Sequence, residues 1–353
     1  MKALIAMSGG VDSSVAALLT KQMGFDCIGC TMRLFENEDA GISKEKSCCS
    51  LDDVEDARSV ANKLGMPYYV FNFKDGFKEK VIDKFIKSYE EGITPNPCID
   101  CNRYMKFDKL YERAKTLGCD VIVTGHYARV EKENGHFVLK KAVDDSKDQS
   151  YVLYSLTENQ LEHTLFPLGA LPKTETRRIA NENGFINANK HDSQDICFVP
   201  DGDYAKIIEM HTGKKYPEGN FVTKDGKVLG KHKGIIHYTI GQRKGLGISS
   251  DRPLYVCEIC KENNTVCLCE NHELMKTEAE VKEINWINGL PKNKEIECAV
   301  KVRYTQKEQD ATVYVTGKDT AKVVFKNPQR AITPGQAAVF YDGDIVLGGG
   351  ILI

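Results

Sequence analysis

The amino-acid sequence predicts an α/β protein: a doubly wound parallel sheet followed by a small central domain and a C-terminal antiparallel β-barrel. Up to about residue 200, short apolar runs alternate with helical patterns, which is typical of parallel strands joined by right-handed crossovers. Past residue 200 the helical period is lost, and residues 237–247 are rich in glycine. From Ile296 onward apolar residues alternate, as in antiparallel strands. We therefore expect domains at residues 1–200, 201–277 and 278–353.

Each element of the predicted parallel sheet has a local signal. The expected strands are short apolar runs at residues 3–7, 25–32, 68–73 and 121–125. Amphipathic helices are expected between them, and each ends at a glycine: Gly24, Gly65, Gly92 and Gly118. Ser50 is the expected N-cap of the second helix, with Asp53 as its reciprocal partner. Ligands bind beyond the carboxyl ends of parallel strands, so the residues that follow these strands should converge on one pocket.

The C-terminal part carries strand and turn signals. Apolar runs at residues 311–315 and 321–325 are separated by a turn at residues 317–319, and a second turn lies at residues 342–343. Asn263-Asn264 marks a hairpin in the central domain. These signals predict an antiparallel sheet or small barrel.

Composition excludes several classes of protein. At 353 residues the chain is too long for one ordinary domain, and its 41% hydrophobic and 28% charged residues are typical of a soluble globular protein. No apolar run approaches the length of a bilayer span and no signal peptide is evident, so we expect a cytoplasmic protein without membrane contact. The thirteen cysteines are then mostly reduced thiols. A net charge of −2 neither indicates nor excludes a nucleic-acid partner.

The turn after the first strand is the clearest functional signal. Residues 8–14 read Ser-Gly-Gly-Val-Asp-Ser-Ser and lead from a strand into a helix. Paired glycines allow close backbone approach, and the orphan amides of a helix start favour an anion. The Walker pattern is excluded because its Gly-Lys-Ser/Thr ending is absent. The loop instead resembles the pyrophosphate-binding (PP) loop of ATP pyrophosphatases. The alternative is a plain glycine turn between strand and helix.

Several cysteines are candidates for chemistry. Cys98 and Cys101 form a Cys-x-x-Cys pair on a loop entering a helix, where the helix dipole, Arg103 and Lys106 favour the thiolate. The spacing alone fits a redox pair, half of a metal site or coincidence. The reactivity of Cys197 cannot be argued from its neighbours. Cys48 and Cys49 are set aside, and the four cysteines of the probable hairpin are better explained as small core residues than as a zinc site: Cys257, Cys260, Cys267 and Cys269.

Together these pieces resemble the bacterial tRNA-specific 2-thiouridylase family (MnmA), a branch of the PP-loop ATP pyrophosphatases with an adenine nucleotide α-hydrolase-like fold. The matching motifs cover essentially the whole chain and lie at residues 6–13, 94–97, 101–102, 124–129, 147–151, 166–169, 193–198 and 238–247. The resemblance implies an ATP-dependent sulfurtransferase. It would adenylate the carbon-2 oxygen of the wobble uridine (position 34) in tRNA for Lys, Glu and Gln, replace that oxygen by sulfur, and release AMP and pyrophosphate.

The resemblance also assigns the ATP site and the thiols. The residues implied in ATP binding are Ala6, Met7, Ser8, Gly9, Gly10, Val11, Asp12, Ser13, Met32 and Gly125. Asp12 is expected to take part in holding Mg²⁺ and phosphate. Cys197 would carry sulfur as a persulfide, and Cys101 would act as the nucleophile or resolving thiol, leaving a transient Cys101–Cys197 disulfide.

The RNA contacts follow from the same resemblance. Residues matching family positions that contact the target base or tRNA are Asn96, Pro97, Cys98, His126, Lys147, Asp148, Gln149, Arg303, Tyr304 and Gln336. Positive charge that could bind the phosphate backbone lies at Lys173, Arg177, Arg178, Arg243 and Lys244, although the Arg177 pair fits an ordinary solvated helix equally well. The expected partners are tRNA and a cysteine desulfurase or sulfur-relay protein, and not DNA.

One departure from the family pattern opens an alternative. Some members carry an aspartate, assigned as general acid or base, where this chain has Cys98. Asp100 or a water would then move the proton. Alternatively, Cys98, Cys101 and Cys197 could hold an iron–sulfur cluster that accepts sulfide.

Two rival functions share some of these features. A small-molecule ligase with the same loop would adenylate its substrate without needing Cys101 or Cys197. A non-catalytic RNA-binding or metal-binding protein could retain a degenerate ATP site, although the intact loop argues against decay.

Overall fold

The computed structural model of the protein describes residues 1–36, 51–191 and 196–353. In chain order the strands are β1 (Lys2–Ala6), β2 (Asp26–Arg33), β3 (Tyr68–Asn72), β4 (Val121–Val123), β5 (Arg129–Glu133), β6 (His136–Lys140), β7 (Thr164–Leu165), β8 (Gly219–Val222), β9 (Val228–His232), β10 (Tyr255–Cys260), β11 (Thr265–Cys269), β12 (Met275–Trp286), β13 (Glu295–Lys301), β14 (Gln309–Val315), β15 (Ala321–Arg330), β16 (Ala337–Asp342) and β17 (Ile345–Leu352).

The α-helices are α1 (Val11–Gln22), α2 (Leu51–Lys63), α3 (Lys74–Phe77), α4 (Asp83–Glu90), α5 (Pro97–Asp100), α6 (Leu110–Thr116), α7 (Glu158–Glu162), α8 (Lys173–Glu182) and α9 (Tyr204–Thr212). Two π-helical stretches, Lys78–Ile82 and Cys101–Lys109, continue α3 into α4 and α5 into α6. Short 3₁₀ turns lie at Ser150–Leu153, Ile235–His237 and Asn271–Leu274.

The predicted parallel sheet is confirmed. Its strand order is β3-β2-β1-β4-β7, and all four neighbouring pairs are parallel. The last predicted strand ends at Val123 instead of residue 125, because Gly125 leaves the sheet to pack against the first turn of α1. The carboxyl ends of β1, β2 and β4 therefore meet at one edge.

Helix α1 is buried on most of its faces because most of its residues are apolar or have small side chains. Val15, Ala16 and Ala17 have no exposed surface, and they pack with Ala3 and Ile5 of β1. Such a helix is stabilised by burial rather than by its own propensity. The expected cap at Ser50 and the pair Cys48-Cys49 lie outside the described residues.

The helical segment from Lys74 to Glu90 buries the predicted apolar face. Phe77, Val81, Phe85 and Tyr89 are all buried, and they recur every four residues. A strict repeat of four drifts around an ordinary helix of 3.6 residues per turn, and the wider π-helical turn at Lys78–Ile82 offsets that drift. This face packs against Phe198, near the end of the first domain, and against Phe221 of the central domain.

The central segment forms a four-stranded sheet of order β10-β11-β8-β9. The hairpin predicted around Asn263-Asn264 is confirmed by the antiparallel pairing of β10 with β11. Residues 238–247 form turns between this sheet and the rest of the molecule.

The C-terminal strands form the predicted antiparallel barrel. The order β12-β15-β14-β13-β16-β17 closes through a further pairing of β12 with β17. The turns expected at residues 317–319 and 342–343 connect β14 to β15 and β16 to β17. The sequence did not predict the hairpin β5–β6, which lies early in the chain but extends the barrel sheet along β17. No helix within the described ranges is long and apolar enough to cross a bilayer.

Candidate active site

The loop between β1 and α1 lies at the carboxyl end of the central strand of the parallel sheet. Its serines close it on itself: the Ser8 amide donates to Ser13 Oγ at 3.1 Å, and Ser13 Oγ donates to the Gly10 carbonyl at 3.0 Å. Gly10 is the N-cap of α1, and no side chain in the described part of the chain caps this helix start. The first-turn amides are therefore arranged as an anion-binding site.

Gly9 is the position in this loop where a side chain cannot be placed. Its φ is +77°, and a Cβ there would lie 2.4 Å from the carbonyl oxygen and 2.7 Å from the Cα of Asp53 in α2. Gly10, by contrast, has φ −86° and room for a Cβ, 3.5 Å from Ser8 Oγ. The Gly-Gly pair thus divides its roles: Gly9 allows contact with α2, and Gly10 starts the helix.

Two residues that the sequence analysis missed hold the loop from the outside. Asn187, 2% exposed, donates its amide to the Gly9 carbonyl at 2.8 Å and to Ser14 Oγ at 2.9 Å. Lys190 pairs with Asp53 at 2.5 Å and with Asp56 at 2.7 Å. Neither residue carries a local sequence signal, because its partners lie more than 130 positions away.

Asp12 is the centre of a partly buried charge network. Lys173 Nζ lies 2.6 and 2.8 Å from its two carboxylate oxygens, and Tyr127 donates its hydroxyl to the same group at 2.9 Å. Tyr127 OH is also 3.0 Å from Thr176 Oγ1, and Lys173 is 8% exposed. Sequence analysis treated Lys173 as a surface contact for phosphate backbone; its burial against Asp12 instead makes it part of the loop site.

The other residues predicted for the ATP site lie around this loop. A Cβ on Gly125 would come within 2.8 Å of the backbone of Asp12 and Ser13, so the end of β4 touches the start of α1. Met32 lies in β2 beside β1, and Thr31 of the same strand donates to the Met7 carbonyl at 2.6 Å. The predicted convergence of these strand ends is therefore seen, whereas ATP contact at each residue stays a prediction.

The Cys-x-x-Cys pair lies inside a helix, where the sequence analysis expected a loop. The Cys98 amide donates to Asn96 Oδ1 at 3.2 Å, so Asn96 caps a helix that begins at Pro97. Cys98 is exposed and Cys101 is half-buried at the start of the π-helical stretch. A π-helical segment at this point fits the frequent use of such segments at functional sites.

Cys101 and Cys197 share a packing environment. Both are half-buried and pack against one hydrophobic cluster, and Met32 packs against it too. That cluster joins the helices after β3 to the central domain. Residues 193–195 of the motif at residues 193–198 lie outside the described residues.

Asp100 is buried within the same helix. Its carboxylate is 6% exposed and pairs with Lys84 at 2.8 Å. Burial raises the pKa of Asp100, and the Lys84 charge opposes that rise. This placement favours a structural ion pair over the proton transfer that the sequence analysis considered for Asp100.

His126 connects the end of β4 to the helical segment Pro97–Lys109, which carries Cys98 and Cys101 and which we name the cysteine helix. Its Nδ1 is 2.7 Å from Thr124 Oγ1, and its Nε2 is 3.3 Å from Lys106 Nζ. Burial, together with the Lys106 charge, lowers the pKa of His126 well below its ordinary value of 6.5. The ring is therefore neutral, with Nε2 accepting from Lys106 and Nδ1 donating to Thr124. Its predicted contact with tRNA stays a prediction.

The buried His126 predicts how stability depends on pH. Just below pH 6.5 the unfolded chain binds a proton at His126 that the folded chain does not, so the free energy of unfolding falls as pH falls. The slope from this group reaches about 1.4 kcal/mol per pH unit. Urea unfolding from pH 7 to 5 should show a shallower slope for His126→Gln than for wild type. His272→Gln, at an exposed histidine, should keep the wild-type slope; equal slopes in all three would contradict this account.

Several residues that were predicted to contact RNA form hydrogen bonds within the protein at this site. Asp148 accepts from the Ala142 amide at 2.9 Å and from Ser150 Oγ at 2.7 Å. Gln149 bonds the backbone of Tyr127 through its own amide and side chain. Tyr304 is 41% exposed. Burial raises the pKa of Tyr304, and nearby Asp148 and Cys98 raise it further. Tyr304 therefore lies within electrostatic range of both Asp148 and Cys98.

The remaining predicted contacts divide by exposure. Arg243 and Lys244 are exposed on the turns of residues 238–247, and Lys147 is half-buried. Arg178 pairs with Glu175 and Glu182 along its own helix, as expected for a solvated face. Arg177 donates to the carbonyls of Ala188 and Lys190, both at 3.3 Å. Arg303 and Gln336 donate to backbone carbonyls of other domains, at Ile240 and Thr94 respectively.

The cysteines in the described part of the chain do not assemble a metal site. Among residues 1–36, 51–191 and 196–353, no group of three or more Cys, His, Asp or Glu side chains is arranged to hold a metal ion. Cys98, Cys101 and Cys197, the suggested iron–sulfur ligands, are all within those ranges. In the central hairpin, Cys267 and Cys269 are buried, as expected for small core residues.

Comparison with known proteins agrees with this architecture. The chain matches three family models: a "tRNA methyl transferase HUP domain" over residues 1–201, a "tRNA methyl transferase PRC-barrel domain" over residues 205–270, and an "aminomethyltransferase beta-barrel domain" over residues 276–352. A 4-thiouridine synthetase–RNA complex with bound ATP is a distant solved structure, 20% identical over 59% of this chain and 50% of that chain. Its TM-score of 0.35 is too low to carry an argument.

Full-length relatives are much more similar. The tRNA-specific 2-thiouridylase MnmA of Clostridioides difficile (strain 630) is 54% identical over 353 residues, which is 99% of this chain and 98% of that protein. The protein of the same name from Clostridium beijerinckii is 50% identical over 351 residues, with 99% and 98% coverage. Identity at this level, sustained across all three segments, makes the chain a member of the tRNA-specific 2-thiouridylase family.

Proposed function

We propose that this protein catalyses ATP-dependent 2-thiolation of the wobble uridine of tRNA, the reaction class for which its relatives are named. The proposal is supported by an uncapped anion-binding loop and by two half-buried cysteines, distant in sequence, that border one hydrophobic cluster. Met32, Cys101 and Cys197 pack against one hydrophobic cluster beside the strand ends. A methyl transfer, as in the family models' descriptions, would give no role to ATP cleavage or to paired thiols.

The first step activates the base. The carbon-2 oxygen of uridine attacks the α-phosphorus of ATP, forming an O–P bond and releasing pyrophosphate. The first-turn amides of α1 and the ammonium of Lys173 are suited to binding the departing pyrophosphate. Magnesium belongs to this proposal as the counterion of ATP. Asp12, whose side chain is 31% exposed, fits as its carboxylate ligand, and the ion would neutralise charge on the leaving group.

Removal of the Lys173 charge is expected to weaken ATP binding. Lys173→Met leaves Asp12 as a negative charge facing the phosphates and removes a charge-assisted donor, which we expect to raise the Kd for ATP about tenfold or more. Arg178→Met is the matched control, since Arg178 lies on the same helix but pairs with Glu175 and Glu182. Titration with a non-hydrolysable ATP analogue measures both. Equal affinity of Lys173→Met and wild type would contradict the assignment.

The second step transfers sulfur. The terminal sulfur of a Cys197 persulfide attacks carbon-2, and AMP leaves with the oxygen. Cys101 thiolate then attacks Cys197 Sγ, so that the persulfide S–S bond breaks and its electron pair stays with the sulfur on the base. The product is 2-thiouridine, and a Cys101–Cys197 disulfide remains, which an external dithiol must reduce before the next turnover.

Protonation at the base pocket differs from that in relatives with an aspartate at position 98. Cys98 is exposed at the helix start, and the carboxylate of Asp100 pairs with Lys84. We propose that a water, rather than Asp100, takes the proton that the aspartate would move.

The alternative of sulfide bound to an iron–sulfur cluster has weaker support. The three cysteines lie among residues in which no metal-holding group of side chains is found, so we derive no step through a cluster. Iron and acid-labile sulfide assays on anaerobically purified protein decide the point. Active protein without iron excludes the cluster, and activity proportional to iron content would establish it.

The RNA substrate and sulfur donor follow the family resemblance. We propose tRNA for Lys, Glu and Gln as substrates, and a cysteine desulfurase, acting directly or through a relay protein, as donor. Arg243 and Lys244 are exposed and suited to the phosphate backbone. Salt dependence of binding to unmodified tRNA would measure their contribution.

One reaction tests the proposal. Anaerobically purified protein is incubated with ATP, Mg²⁺, a cysteine desulfurase, cysteine and unmodified tRNA for Glu, and the digested nucleosides are analysed by mass spectrometry. We expect 2-thiouridine and one pyrophosphate per product, both dependent on tRNA. Pyrophosphate release without thiouridine would indicate a missing sulfur donor. Absence of tRNA-dependent pyrophosphate release would reject the proposal in favour of a small-molecule ligase or a non-catalytic RNA-binding protein.

A further inference from the structure

The loop that leads into the cysteine helix is attached to the C-terminal barrel. We name residues 93–97 the helix-entry loop and residues 331–336 the barrel loop. The Thr94 amide donates to the Pro334 carbonyl at 3.1 Å. Gln336 Nε2 donates in return to the Thr94 carbonyl at 2.9 Å and to the Pro95 carbonyl at 3.2 Å. Segments about 240 residues apart are thus paired as tightly as neighbouring strands.

The two loops approach too closely for a side chain between them. Gly335 has φ +88°, and a Cβ there would lie 2.3 Å from Ile93 Cγ2 and 2.9 Å from the Thr94 carbonyl oxygen. Both the backbone conformation and the contact therefore require glycine at this position. The pairing of the loops is a property of their backbones as well as of Gln336.

The barrel loop is itself held rigidly. Gln336 is tied into the barrel because the Leu352 amide donates to its carbonyl at 2.8 Å. The Arg303 guanidinium lies 2.9 Å from the Ala331 carbonyl, 2.6 Å from Thr333 Oγ1 and 3.1 Å from the Ile240 carbonyl of the central segment. A barrel loop braced at both ends can hold the helix-entry loop in one position.

The side chain of Gln336 is committed to this contact. A glutamine amide has two N–H donors, and the two carbonyls of the helix-entry loop accept both. The resemblance to 2-thiouridylases implies a contact of Gln336 with tRNA, for which only its carbonyl oxygen is then left. Both of its N–H donors bind backbone carbonyls of the protein. The nearer of these, at Pro95, is one residue before the helix cap Asn96 and three before Cys98.

We propose that the barrel positions the cysteine helix for sulfur transfer. Gln336 and Gly335 are positioning residues: they fix the helix-entry loop, and that loop in turn fixes Asn96 and the cysteine helix. The proposal rests on the proposed function. It gives the barrel a part in the chemical step in addition to RNA binding. A misplacement of about 1 Å at such a helix would reduce the rate without weakening RNA binding.

The first test reads the position of the loop without any activity. Hydrogen exchange is measured on the full-length protein, without ligands, for wild type, Gln336→Glu and Gln309→Ala. Glutamate keeps the shape of glutamine but has no N–H donor, and Gln309 is a barrel glutamine that bonds Lys307 instead. We expect exchange at Thr94 and the following amides to rise about tenfold in Gln336→Glu alone. Unchanged exchange would overturn the proposal.

The second test separates positioning from RNA contact. Single-turnover 2-thiouridine formation at saturating tRNA is compared with the Kd for tRNA in wild type, Gln336→Ala, Gly335→Ala and Gln309→Ala. We expect the rate to fall roughly 10- to 100-fold in the first two variants while Kd changes by less than about twofold. A raised Kd with an unchanged saturated rate would overturn the proposal and favour a direct tRNA contact.

The two tests distinguish a failure of the proposed function from a failure of the positioning proposal. If wild type forms no 2-thiouridine, the proposed function fails, and hydrogen exchange still decides whether Gln336 positions the loop. If Gly335→Ala does not fold, Gln336→Ala supplies the rates, since it removes two hydrogen bonds and introduces no clash.

Discussion

Serine in place of Cys197 or Cys101 is expected to abolish 2-thiouridine formation while pyrophosphate release continues with tRNA. A serine hydroxyl cannot carry a persulfide, so Cys197→Ser has no sulfur to transfer. Cys101→Ser lacks the thiolate that would break the S–S bond of the transfer intermediate. Loss of a covalent participant lowers rates by about 10³-fold or more. Thiouridine is measured by mass spectrometry and pyrophosphate by a coupled assay.

The two cysteine variants differ in what they should accumulate. Cys101→Ser is expected to trap tRNA linked to Cys197 through sulfur, which would be released by dithiothreitol, whereas Cys197→Ser should accumulate adenylated tRNA. Cys260→Ser is the matched control, at a half-buried cysteine in the central hairpin. Thiouridine formed by Cys197→Ser at the wild-type rate would contradict the persulfide route and favour direct use of sulfide.

Alanine in place of Gly9 is expected to destabilise the loop and remove ATP binding. The left-handed φ of +77° costs a residue with a Cβ about 1–2 kcal/mol, and the 2.4 Å approach to the Asp53 carbonyl adds a clash with backbone. We expect a loss of about 2–4 kcal/mol in the free energy of unfolding. Thermal and urea unfolding measure it, and titration with an ATP analogue measures binding.

Gly10→Ala provides the comparison within the same loop. Its φ of −86° suits any residue, and the added Cβ meets Ser8 Oγ at an ordinary 3.5 Å. We expect its unfolding free energy to stay within about 0.5 kcal/mol of wild type. Equal destabilisation by both alanines would show that the contact with Asp53 does not decide the role of Gly9.

The local features of this fold could be predicted because they depend on neighbouring residues. The apolar run of β1, the Gly-Gly turn and the helix pattern of α1 lie within about twenty residues, and together they indicated an anion-binding loop. The hairpin at Asn263-Asn264 was found for the same reason. The closed barrel followed from alternating apolar residues and turn signals.

Helix boundaries near the cysteines were less predictable. A proline disfavours the helical conformation in the residue before it, yet Pro97 is the first residue of α5 and Asn96 is its cap. Proline suits the first helical turn, where its missing N–H is not needed. The same residue type therefore signals either a loop or a helix start, and here the Cys98 amide that donates to Asn96 Oδ1 marks a helix start.

The sequence by itself determined the fold class, the anion-binding loop and the cysteines and motifs that mark the family. The tertiary structure alone decided which distant side chains serve that loop: Lys173 and Tyr127 at Asp12, Asn187 at Gly9, and Gln336 at Thr94. It also decided that the hairpin β5–β6 joins the barrel. The physical reason is that periodicity fixes which face of an element is buried, whereas a polar side chain finds its partner only after the buried faces have packed.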